Sequence, residues 1–579
     1  MSPARLLEHF GRLIDTPDAV PRLRRFILDL AVRGKLVEQN PKDEPAGALL
    51  KSIRAEKTRL ARSGEIRKEK PSPPIDDGEI LFEVPHGWHW TRLRDVTSYL
   101  QRGKSPKYSA GSGPLVVSQR CVQWDGLHLE WAKKITAESL ADYEPIRFLR
   151  DGDLLWNSTG TGTIGRVIRL EEPGERLVCD SHITVVRCLG VDERFICIWL
   201  RTDFVYGTIE DRAAGATNQV ELTASIALKQ VTPVPPLAEQ HRIVAKVDEL
   251  MALCDELEAA QTKREKRRDR LVAATLHGLN NGDATPAPAA PSTFEEDARF
   301  YFNHLPRLTT RPEHIYQLRQ TILNLAVHGK LVPQDKRDEP VGVLVERVVI
   351  EQRRAIAENR LNKRVLTGIL GVQPAYEIPE GWRWLRLAEL ITFGPQNGTS
   401  PKPTTNENAP KALTLTATTS GFFNPAHYKH VALREDECKN YWLVEGDVLF
   451  QRGNTREYVG MATVYDGSIR SFVFPDLMIR VRFAEELDLR FLHTCLISPL
   501  LRSYFSSEAS GASSTMPKIN QSVILNAPIP LPPRAEQHRI VAKLDELMAL
   551  CAELEAGLVR SDDLCAASLE ASLAQALAS

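Results

Sequence analysis

The residues from Gly160 to Gly165 form the one stretch of this sequence whose spacing matches a cofactor-binding motif. They read GTGTIG and follow the strand-like segment DLLWNS. A dinucleotide or S-adenosylmethionine site with this GxGxxG pattern requires a helix that starts at the last glycine. The chain instead continues as RVIRLEEPGE, which reads as a strand and a turn. We therefore predict a Gly/Thr-rich loop between two strands and no cofactor in this chain.

The other common catalytic patterns are missing. The sequence has no GxxxxGK[ST] loop for ATP, no HExxH zinc pair and no Asn/Asp-Pro-Pro-Tyr/Phe motif of amino-methyltransferases, and no PD-(D/E)xK nuclease core is evident. Nine scattered cysteines without a CxxC pair predict buried free thiols. His241 and His538 lie one turn into charged helices and read as solvated residues or helix contacts. The sequence therefore predicts no catalytic residue and no metal site.

Polar loops with basic and amide side chains are the residues best suited to contact nucleic acid. Arg and Lys pair with guanine, and Asn and Gln pair with adenine. Lys, Ser, Thr and backbone amides hold phosphates. Solvent exposure alone explains each loop taken singly, but the loops recur at matching places in both halves of the chain. The candidate DNA contacts are Gln101, Arg102, Lys104, Lys107, Tyr108, Gln119, Arg120, Asn157, Thr161, Thr163, Asn218, Gln219, Asn397, Thr399, Lys402, Gln451, Arg452, Asn454, Arg456, Lys518, Asn520 and Gln521.

The elements that must position these loops occur twice. Residues 237–259 and 534–556 are identical at 20 of 23 positions, and residues 23–37 and 318–332 are identical at 11 of 15. A Pro/Ala-rich linker, 283–292, separates the two halves. The segments between the repeated elements differ almost completely. A shared frame that carries two dissimilar inserts indicates that the frame has the same task in both halves and that the two inserts have different tasks.

Each copy of 237–259 is expected to start a long helix. A Pro-Pro pair precedes it and presets the entry of the chain. Glu239 and Glu536 then fall in the first turn, where a carboxylate interacts favourably with the helix dipole. The first helix is predicted to continue through TKREKRRDR to about Leu279, which gives roughly 40 residues and about 60 Å at 1.5 Å per residue.

Apolar residues in these helices recur at the a and d positions of heptads. Two such seams favour an antiparallel coiled-coil pair, and two ordinary amphipathic core helices are the alternative. The residues predicted at this helix or subunit interface are Ile243, Val247, Leu250, Leu257, Ile540, Leu544, Leu547 and Leu554.

The inserts, of about 155 residues each, are predicted to be mixed α+β domains. Short β-branched segments such as GDLLWNS and HITVVRCL in the first half, and GDVLFQR and GMATVYD in the second, are interrupted by Gly, Pro and Asp. The whole chain of 579 residues is long enough for three to five domains.

The net charge of −1, from 74 Lys and Arg against 75 Asp and Glu, argues against a polycationic tail. It does not exclude a basic face. No run of 18 apolar residues and no secretion signal occurs, so we expect a cytoplasmic protein without a membrane contact.

One signature occurs twice and carries a family resemblance. Residues 215–250 read GATNQVELTASIALKQVTPVPPLAEQHRIVAKVDEL, and residues 511–547 read GASSTMPKINQSVILNAPIPLPPRAEQHRIVAKLDEL. A Gly-rich stretch, a polar strand and Pro-Pro-x-x-Glu-Gln before an Ile-Val helix resemble the specificity subunit of type I restriction–modification systems. GDLLWNSTGTGTIG is also similar to that family's Gly-Asp-[Ile/Val]-Leu and Gly-Thr-x-x-Gly loop, whereas the second copy keeps only GDVLF. The resemblance covers nearly the whole chain.

The resemblance implies an α+β fold with two mixed α/β target recognition domains, a long antiparallel two-helix coiled-coil frame that separates them, and an internal pseudo-two-fold repeat. Each recognition domain would read one half-site of an asymmetric bipartite target in double-stranded DNA. The helices would bind two methyltransferase subunits, which carry S-adenosylmethionine and flip the target adenine. Motor–nuclease subunits would cut unmodified DNA, and this chain would be non-catalytic.

Three alternatives remain open: a modification-only subunit without a nuclease, a fused methyltransferase or nuclease fragment, and a helical scaffold that does not bind DNA. The predicted domains are an N-terminal helical frame (1–80), target recognition domain 1 (81–236), a central spacer helix (237–282), the linker (283–292), the helical frame of the second half (293–374), target recognition domain 2 (375–533) and a C-terminal spacer helix (534–579).

Overall fold

The chain forms two compact units in the computed structural model. The first unit comprises Met1–Arg264 and Ser561–Ser579, and the second comprises Glu265–Arg560. The structure describes residues 18–68, 71–109, 111, 113–160, 162–174, 176–214, 221–281, 294–366, 372–511 and 516–578.

Helices form the ends of each half and flank its sheets. The helices are α1 (Ala19–Val32), α2 (Ala46–Arg62), α3 (Ala137–Ala141), α4 (Glu193–Leu200), α5 (Asp203–Ala214), α6 (Ala224–Lys229), α7 (Leu237–Asn281), α8 (Phe294–Asn303), α9 (Leu305–Leu308), α10 (Pro312–Val327), α11 (Val341–Ala357), α12 (Glu435–Cys438), α13 (Leu489–Ile497), α14 (Pro499–Glu508), α15 (Gln521–Leu525) and α16 (Arg534–Ala578).

Short strands make up the inserts, as their β-branched segments predict. The strands are β1 (His89–Arg92), β2 (Thr97–Arg102), β3 (Leu115–Val117), β4 (Val122–Gln123), β5 (Gly126–Leu127), β6 (Lys133–Lys134), β7 (Leu154–Asn157), β8 (Val167–Arg169), β9 (Val178–Cys179), β10 (Ile183–Cys188), β11 (Val231–Val234), β12 (Arg383–Arg386), β13 (Ile391–Asn397), β14 (Lys411–Leu413), β15 (Tyr428–His430), β16 (Val448–Gln451), β17 (Ala462–Val464), β18 (Met478–Phe483) and β19 (Pro528–Leu531).

Each unit contains an antiparallel four-stranded sheet with the same order of strands. The order is β2-β10-β7-β8 in the first unit and β13-β18-β16-β17 in the second. Two-stranded sheets, β1-β11 and β12-β19, bring the start and the end of each insert together. The inserts differ in their smaller sheets, which are β6-β3-β9 and β4-β5 in the first unit and β14-β15 in the second.

The central strands of both sheets are buried on two sides. Leu154 and Trp156 of β7 belong to the core that contains the frame helices, whereas Leu155 belongs to a second cluster around Val117. Strand β16 alternates in the same way, with Leu449 on the second side. Since successive side chains of a strand point to opposite faces, the sheet lies between the helical frame and the smaller sheets. This arrangement explains why these strands read as continuous apolar runs.

The two long helices, α7 and α16, each contain 45 residues. The prediction that the first one continues to about Leu279 is confirmed, because α7 ends at Asn281. The apolar cores of both units include residues from both long helices. Leu569 and Ala576 of α16 join the core of the first unit, and residues of α7 such as Leu276 join that of the second. Each long helix therefore contributes to both cores.

A buried glutamate fixes the first turn of each long helix. Glu239 accepts hydrogen bonds from Trp88 Nε1 at 3.0 Å and Gln39 Nε2 at 2.6 Å. In the second unit Glu536 accepts the equivalent bonds from Trp382 and a glutamine, both at 3.0 Å. Burial raises the pKa of both glutamates. The carboxylates therefore join the long helices to the rest of the frame, in addition to interacting with the helix dipole in the first turn.

The following glutamine of the Pro-Pro-x-x-Glu-Gln signature makes a second link. Gln240 Oε1 accepts from the backbone N–H of Asp192 at 2.8 Å, and its Nε2 donates to the Pro235 carbonyl at 2.8 Å. Gln537 accepts from Asp488 in the same way at 3.0 Å. The signature is thus a set of buried hydrogen bonds that attaches each insert to its long helix.

The residues predicted at the helix or subunit interface are wholly or partly buried within their own unit. Ile243, Val247, Leu250 and Ile540 are nearly inaccessible, as is Leu544. The remaining three, which are only partly buried beside an apolar cluster, are Leu257, Leu547 and Leu554. Within the described residues, no helix combines the length and apolarity needed to cross a membrane.

Candidate nucleic-acid interface

The predicted polar loops of the first unit meet at one end of its four-stranded sheet. Strands β2 and β7 end at Arg102 and Asn157, whereas β10 and β8 begin at Ile183 and Val167. Because neighbouring strands are antiparallel, these four termini lie at the same edge. We call these strand ends, the adjoining loops 103–108, 158–160, 162–166 and 180–182, and Lys133 beside Tyr108 the first sheet end.

Hydrogen bonds hold the loops of the first sheet end together. Arg102 Nε donates to the Ser181 carbonyl at 2.9 Å, and its guanidinium lies 3.2 Å from Glu221 Oε2. Thr159 Oγ1 and His182 Nδ1 are 2.7 Å apart. Loops that are distant in sequence therefore form one polar surface.

Tyr108 of this surface contacts two charged side chains. Its ring is 47% exposed, and the Lys133 ammonium lies 4.6 Å from the ring centroid. Its hydroxyl donates to the buried Asp180 carboxylate at 3.3 Å. Burial, together with this carboxylate, raises the pKa of Tyr108 to about 12. The hydroxyl thus stays protonated, and the exposed ring and the lysine can face a nucleic acid.

The second unit brings its predicted loops together in the same way. We call the loops 398–403, 452–461 and 475–477, together with Asn397 and Gln521 beside them, the second sheet end. Arg452 donates its backbone N–H to the Leu477 carbonyl at 2.7 Å and accepts from Ile519 at 2.8 Å. Gln521 Nε2 donates to Asn397 Oδ1 at 3.0 Å. Asn397 is exposed, and Gln521 is partly buried beside it.

Two of the predicted DNA contacts lie inside the domains. Asn157 and Gln451, the last residues of β7 and β16, are fully buried. Asn157 Nδ2 donates to the Gln119 carbonyl at 3.0 Å, and Gln451 Nε2 donates to the Leu415 carbonyl at 2.9 Å. Both amides hold the short 3-10 turn that begins at the accepting residue. They position loops and do not present a free edge to a base, which corrects the sequence interpretation.

Three further predicted residues are used by the turns in which they occur. Thr163 Oγ1 donates to the Thr159 carbonyl at 3.0 Å. Asn454 Nδ2 donates to Gln451 Oε1 at 2.6 Å, and Asn520 Oδ1 caps α15 by accepting from its backbone. The side chains of these residues therefore shape the loops first.

The other predicted contacts are accessible to different degrees. Thr161, Asn218 and Gln219 lie outside the described residues. The exposed ones are Lys104, Lys107, Tyr108, Arg120, Asn397, Lys402, Arg456, Lys518 and Asn520. The partly buried ones are Gln101, Arg102, Gln119, Thr163, Thr399, Arg452, Asn454 and Gln521.

A buried ion pair fixes the Gly-Asp turn before each central strand. Asp153 is inaccessible and receives two bonds of 2.7 Å from Arg187 of β10. Asp447 is equally buried and forms ion pairs with Arg480 and Arg482 of β18. The Gly-Asp pattern therefore reports a structural cross-link, and it contributes nothing directly to a ligand surface.

The sequence analysis missed several residues that belong to the first sheet end. Lys133, Asp180 and His182 lie far from the predicted loops in sequence and reach them only through strand pairing. The Lys133-Lys134 pair was a visible basic signal. A solitary Asp or His carries no spacing signal that could have revealed its position.

The Gly/Thr-rich stretch and two histidines that the sequence interpretation set aside have structural contacts. The Gly160–Gly165 stretch links the paired strands β7 and β8. The histidines of the long helices are helix contacts, with His538 Nδ1 at 2.7 Å from Asp488 and His241 Nε2 at 3.7 Å from Asp192. Among the described residues, no cluster of three or more His, Cys, Asp or Glu side chains is arranged to hold a metal ion.

Comparison with protein families matches the repeat directly. The model of the type I restriction modification DNA specificity domain matches residues 85–265 and again residues 379–560. The chain belongs to this family. Its two specificity domains each contain one of the sheet ends described above and the start of one long helix.

Curated specificity subunits are similar over nearly their full length. The type I restriction enzyme EcoEI specificity subunit of Escherichia coli is 30% identical over 555 residues, which cover 93% of this chain and 91% of that protein. The EcoAI specificity subunit of the same species is 29% identical over 567 residues, which cover 93% and 90%.

Solved structures of the same class resemble the chain more distantly. A chain from a structural study of assembly and conformational transition in a type I R-M system has 20% identity and a TM-score of 0.47, with 86% of this chain and 99% of that chain covered. The HsdS subunit of Thermoanaerobacter tengcongensis has 20% identity and a TM-score of 0.41, with 86% and 98% covered. The family assignment rests on the sequence comparisons and not on these scores.

Proposed function

We propose that this chain is the DNA-specificity subunit of a type I restriction–modification complex, in which each specificity domain reads one half of an asymmetric bipartite target. The observation that carries the proposal is the convergence of polar loops on the same end of an otherwise equivalent sheet in both units. The frame contacts repeat from unit to unit, whereas the loops differ. A repeated frame with different reading surfaces suits two different half-sites.

The chemistry of the two sheet ends suits duplex DNA. The first carries Arg102, Lys104, Lys107 and Tyr108, which combine phosphate-binding charge with an aromatic ring. The second carries the hydrogen-bonded amides of Asn397 and Gln521, and amide side chains can pair with adenine. Different donor and acceptor sets at the two ends favour different base sequences.

We also propose that α7 and α16 form the coiled-coil frame and bind methyltransferase subunits. Supporting this, Leu253 of α7 and Leu550 of α16 are about half exposed, at 46% and 47%. These leucines occupy equivalent positions of the sequence repeat, at the offset of 297. Equivalent apolar residues that remain accessible are suited to binding two copies of one partner.

In this proposal the chain supplies the DNA sequence specificity and performs no catalytic step. S-adenosylmethionine belongs to the partner methyltransferases, and cleavage belongs to motor–nuclease subunits. This division of labour requires only binding and positioning from the present chain. Methyl transfer by the purified chain without a partner would contradict it.

The decisive experiment is an exchange of inserts. Residues 98–235 are replaced with the corresponding insert of a related subunit, and methylated bases are mapped by long-read sequencing in cells that express the chimera with its partners. We expect one half of the modified sequence to change and the other half and the gap to stay the same. The matched control replaces 394–531, and the opposite half should change.

Two outcomes would contradict the proposal. A change of both halves by either exchange would rule out one half-site per domain. Methylation that is independent of sequence in the parent complex would rule out a specificity function altogether.

A further inference from the structure

An exposed tryptophan of the first specificity domain is held in one orientation. The Trp131 indole is 47% exposed and stacks on the His128 imidazole, with ring centroids 4.4 Å apart and an angle of 12° between the planes. The backbone N–H of Trp131 donates to the His128 carbonyl at 3.2 Å, so the two residues share one tight turn. One face of the indole is therefore occupied by the imidazole.

The histidine that supports the indole is itself fixed. His128 Nδ1 lies 2.7 Å from Glu130 Oε1, and its Nε2 lies 3.2 Å from Asp125 Oδ1. Hydrogen bonds to these carboxylates raise the pKa of His128. The two carboxylates thus hold the imidazole from both sides. The indole stacked on it therefore loses rotamer freedom that an exposed tryptophan normally has. A fixed aromatic surface binds a planar partner with little loss of side-chain entropy.

The turn is attached to the reading surface of the domain. The His128 backbone N–H donates to the Cys121 carbonyl at 2.8 Å, which joins the turn to the Gln119–Cys121 segment supported by Asn157. Two residues after Trp131, Lys133 places its ammonium over the ring of Tyr108 at the first sheet end. The indole is therefore next in the chain to side chains of the proposed DNA surface.

Basic side chains suited to phosphate contact lie in the chain on both sides of the turn. Arg120, Lys133 and Lys134 are exposed around the turn. The nearby carboxylates, Asp125 and Glu130, contact the imidazole, and their side chains remain 75% and 62% exposed. The three exposed cations can bind the phosphates that flank a base.

We propose that Trp131 is a specificity-determining residue that stacks on a base at a distorted step of the half-site read by the first domain. The proposal rests on the proposed function, because it requires this domain to bind DNA. Aromatic side chains that stack on or wedge between bases favour steps that unstack easily. Discrimination of this kind reads deformability and adds to the donor and acceptor contacts of the sheet end.

The test uses the assembled methyltransferase complex and a duplex that contains its mapped target. Duplexes with 5-iodouracil at successive thymine positions of each half-site are irradiated, and the cross-linked residue is identified by mass spectrometry. Affinities for target and unrelated duplexes are measured for the parent and for Trp131→Ala, Trp131→Phe and Trp124→Ala. Trp124 is a matched control, because it is 41% exposed in the same domain but packs edge-on against Tyr206.

We expect W131A to weaken target binding by about 5- to 140-fold, the range of one base–aromatic stack. W131F, which retains a ring, should recover most of this loss, and W124A should bind like the parent. The cross-link should map to Trp131 and to positions of one half-site only. Binding to unrelated duplex should change far less than binding to the target.

Three results would overturn the inference. These are target binding by W131A that equals that of the parent, a loss that is the same on target and unrelated duplexes, and failure of W131A to assemble with methyltransferase subunits. The third would identify the indole as a protein contact. Failure of the proposed function is distinguishable, because the parent complex itself would then show no preference for its target.

Discussion

Removal of the Glu239 carboxylate tests the frame contacts most directly. In Glu239→Ala the Trp88 Nε1–H loses its acceptor, and Trp88 is only 3% exposed, so water cannot replace the lost partner. The other donor, Gln39, is exposed and regains a partner from solvent. One orphaned buried donor costs about 1–3 kcal/mol. We therefore expect the free energy needed to open the frame of the first unit locally to fall by this amount.

Hydrogen–deuterium exchange with mass spectrometry measures this loss locally. A loss of about 1–3 kcal/mol accelerates exchange through local opening by about 5- to 140-fold. The acceleration is expected in peptides around Trp88 and α1. Glu536→Ala is the matched control, since it removes the equivalent acceptor of Trp382 and should affect only peptides of the second unit.

Glu239→Gln separates the hydrogen bond from the charge. The amide oxygen can still accept from Trp88, so E239Q should cost less than E239A at neutral pH. Burial raises the pKa of Glu239, so the folded chain binds this proton more tightly than the unfolded chain. The stability of the parent should therefore fall as pH rises from the ordinary carboxyl pKa through the raised one, and E239Q should lack this fall.

Equal effects of E239A and E239Q, or accelerated exchange in both units after a single substitution, would contradict this role of the carboxylate. Unchanged exchange around Trp88 in E239A would refute it as well. Each of these outcomes would mean that the buried hydrogen bond does not hold the helix start.

Three other substitutions test separate contacts. Asp447→Ala leaves buried arginine charge without a partner and should destabilise the second unit by about 3–5 kcal/mol, measured by thermal unfolding of the complex; a loss below 1 kcal/mol would contradict a buried pair. Gly34→Ala should destabilise the first unit by at least about 1–2 kcal/mol, because the backbone has φ of +68° and a Cβ atom would lie 2.4 Å from Pro85 Cγ; normal stability would refute this. Asn157→Ala should relax base choice in one half-site by releasing the turn that it holds, and methylation mapping would contradict it if both half-sites changed.

The frame could be predicted because its signals are local and repeated. The heptads of α7 and the Pro-Pro entry predicted a long helix that ends at Asn281 in the structure. Helical periodicity and turn residues depend on neighbours in sequence, so one chain is enough to read them. The repeat supplied a second copy of these signals.

The site could be predicted only in part. Polarity correctly indicated loops such as 103–108 as surface, but it could not separate an exposed amide from a buried one. Asn157 and Gln451 have the same side-chain chemistry as Asn397 and are nevertheless inside the domains. The difference arises because the last residue of a central strand faces a turn that comes from another part of the chain.

The sequence by itself determined the duplication, the positions of the long helices and the family to which the chain belongs. These depend on periodicity, on turn residues and on identity between segments. Only the tertiary structure decided which polar side chains share a surface, because strand pairing brings loops from distant parts of the chain to one sheet edge. It also decided that Glu239 bonds Trp88, that Asp180 holds Tyr108, and that burial and charge at these positions are set by residues more than 70 positions away.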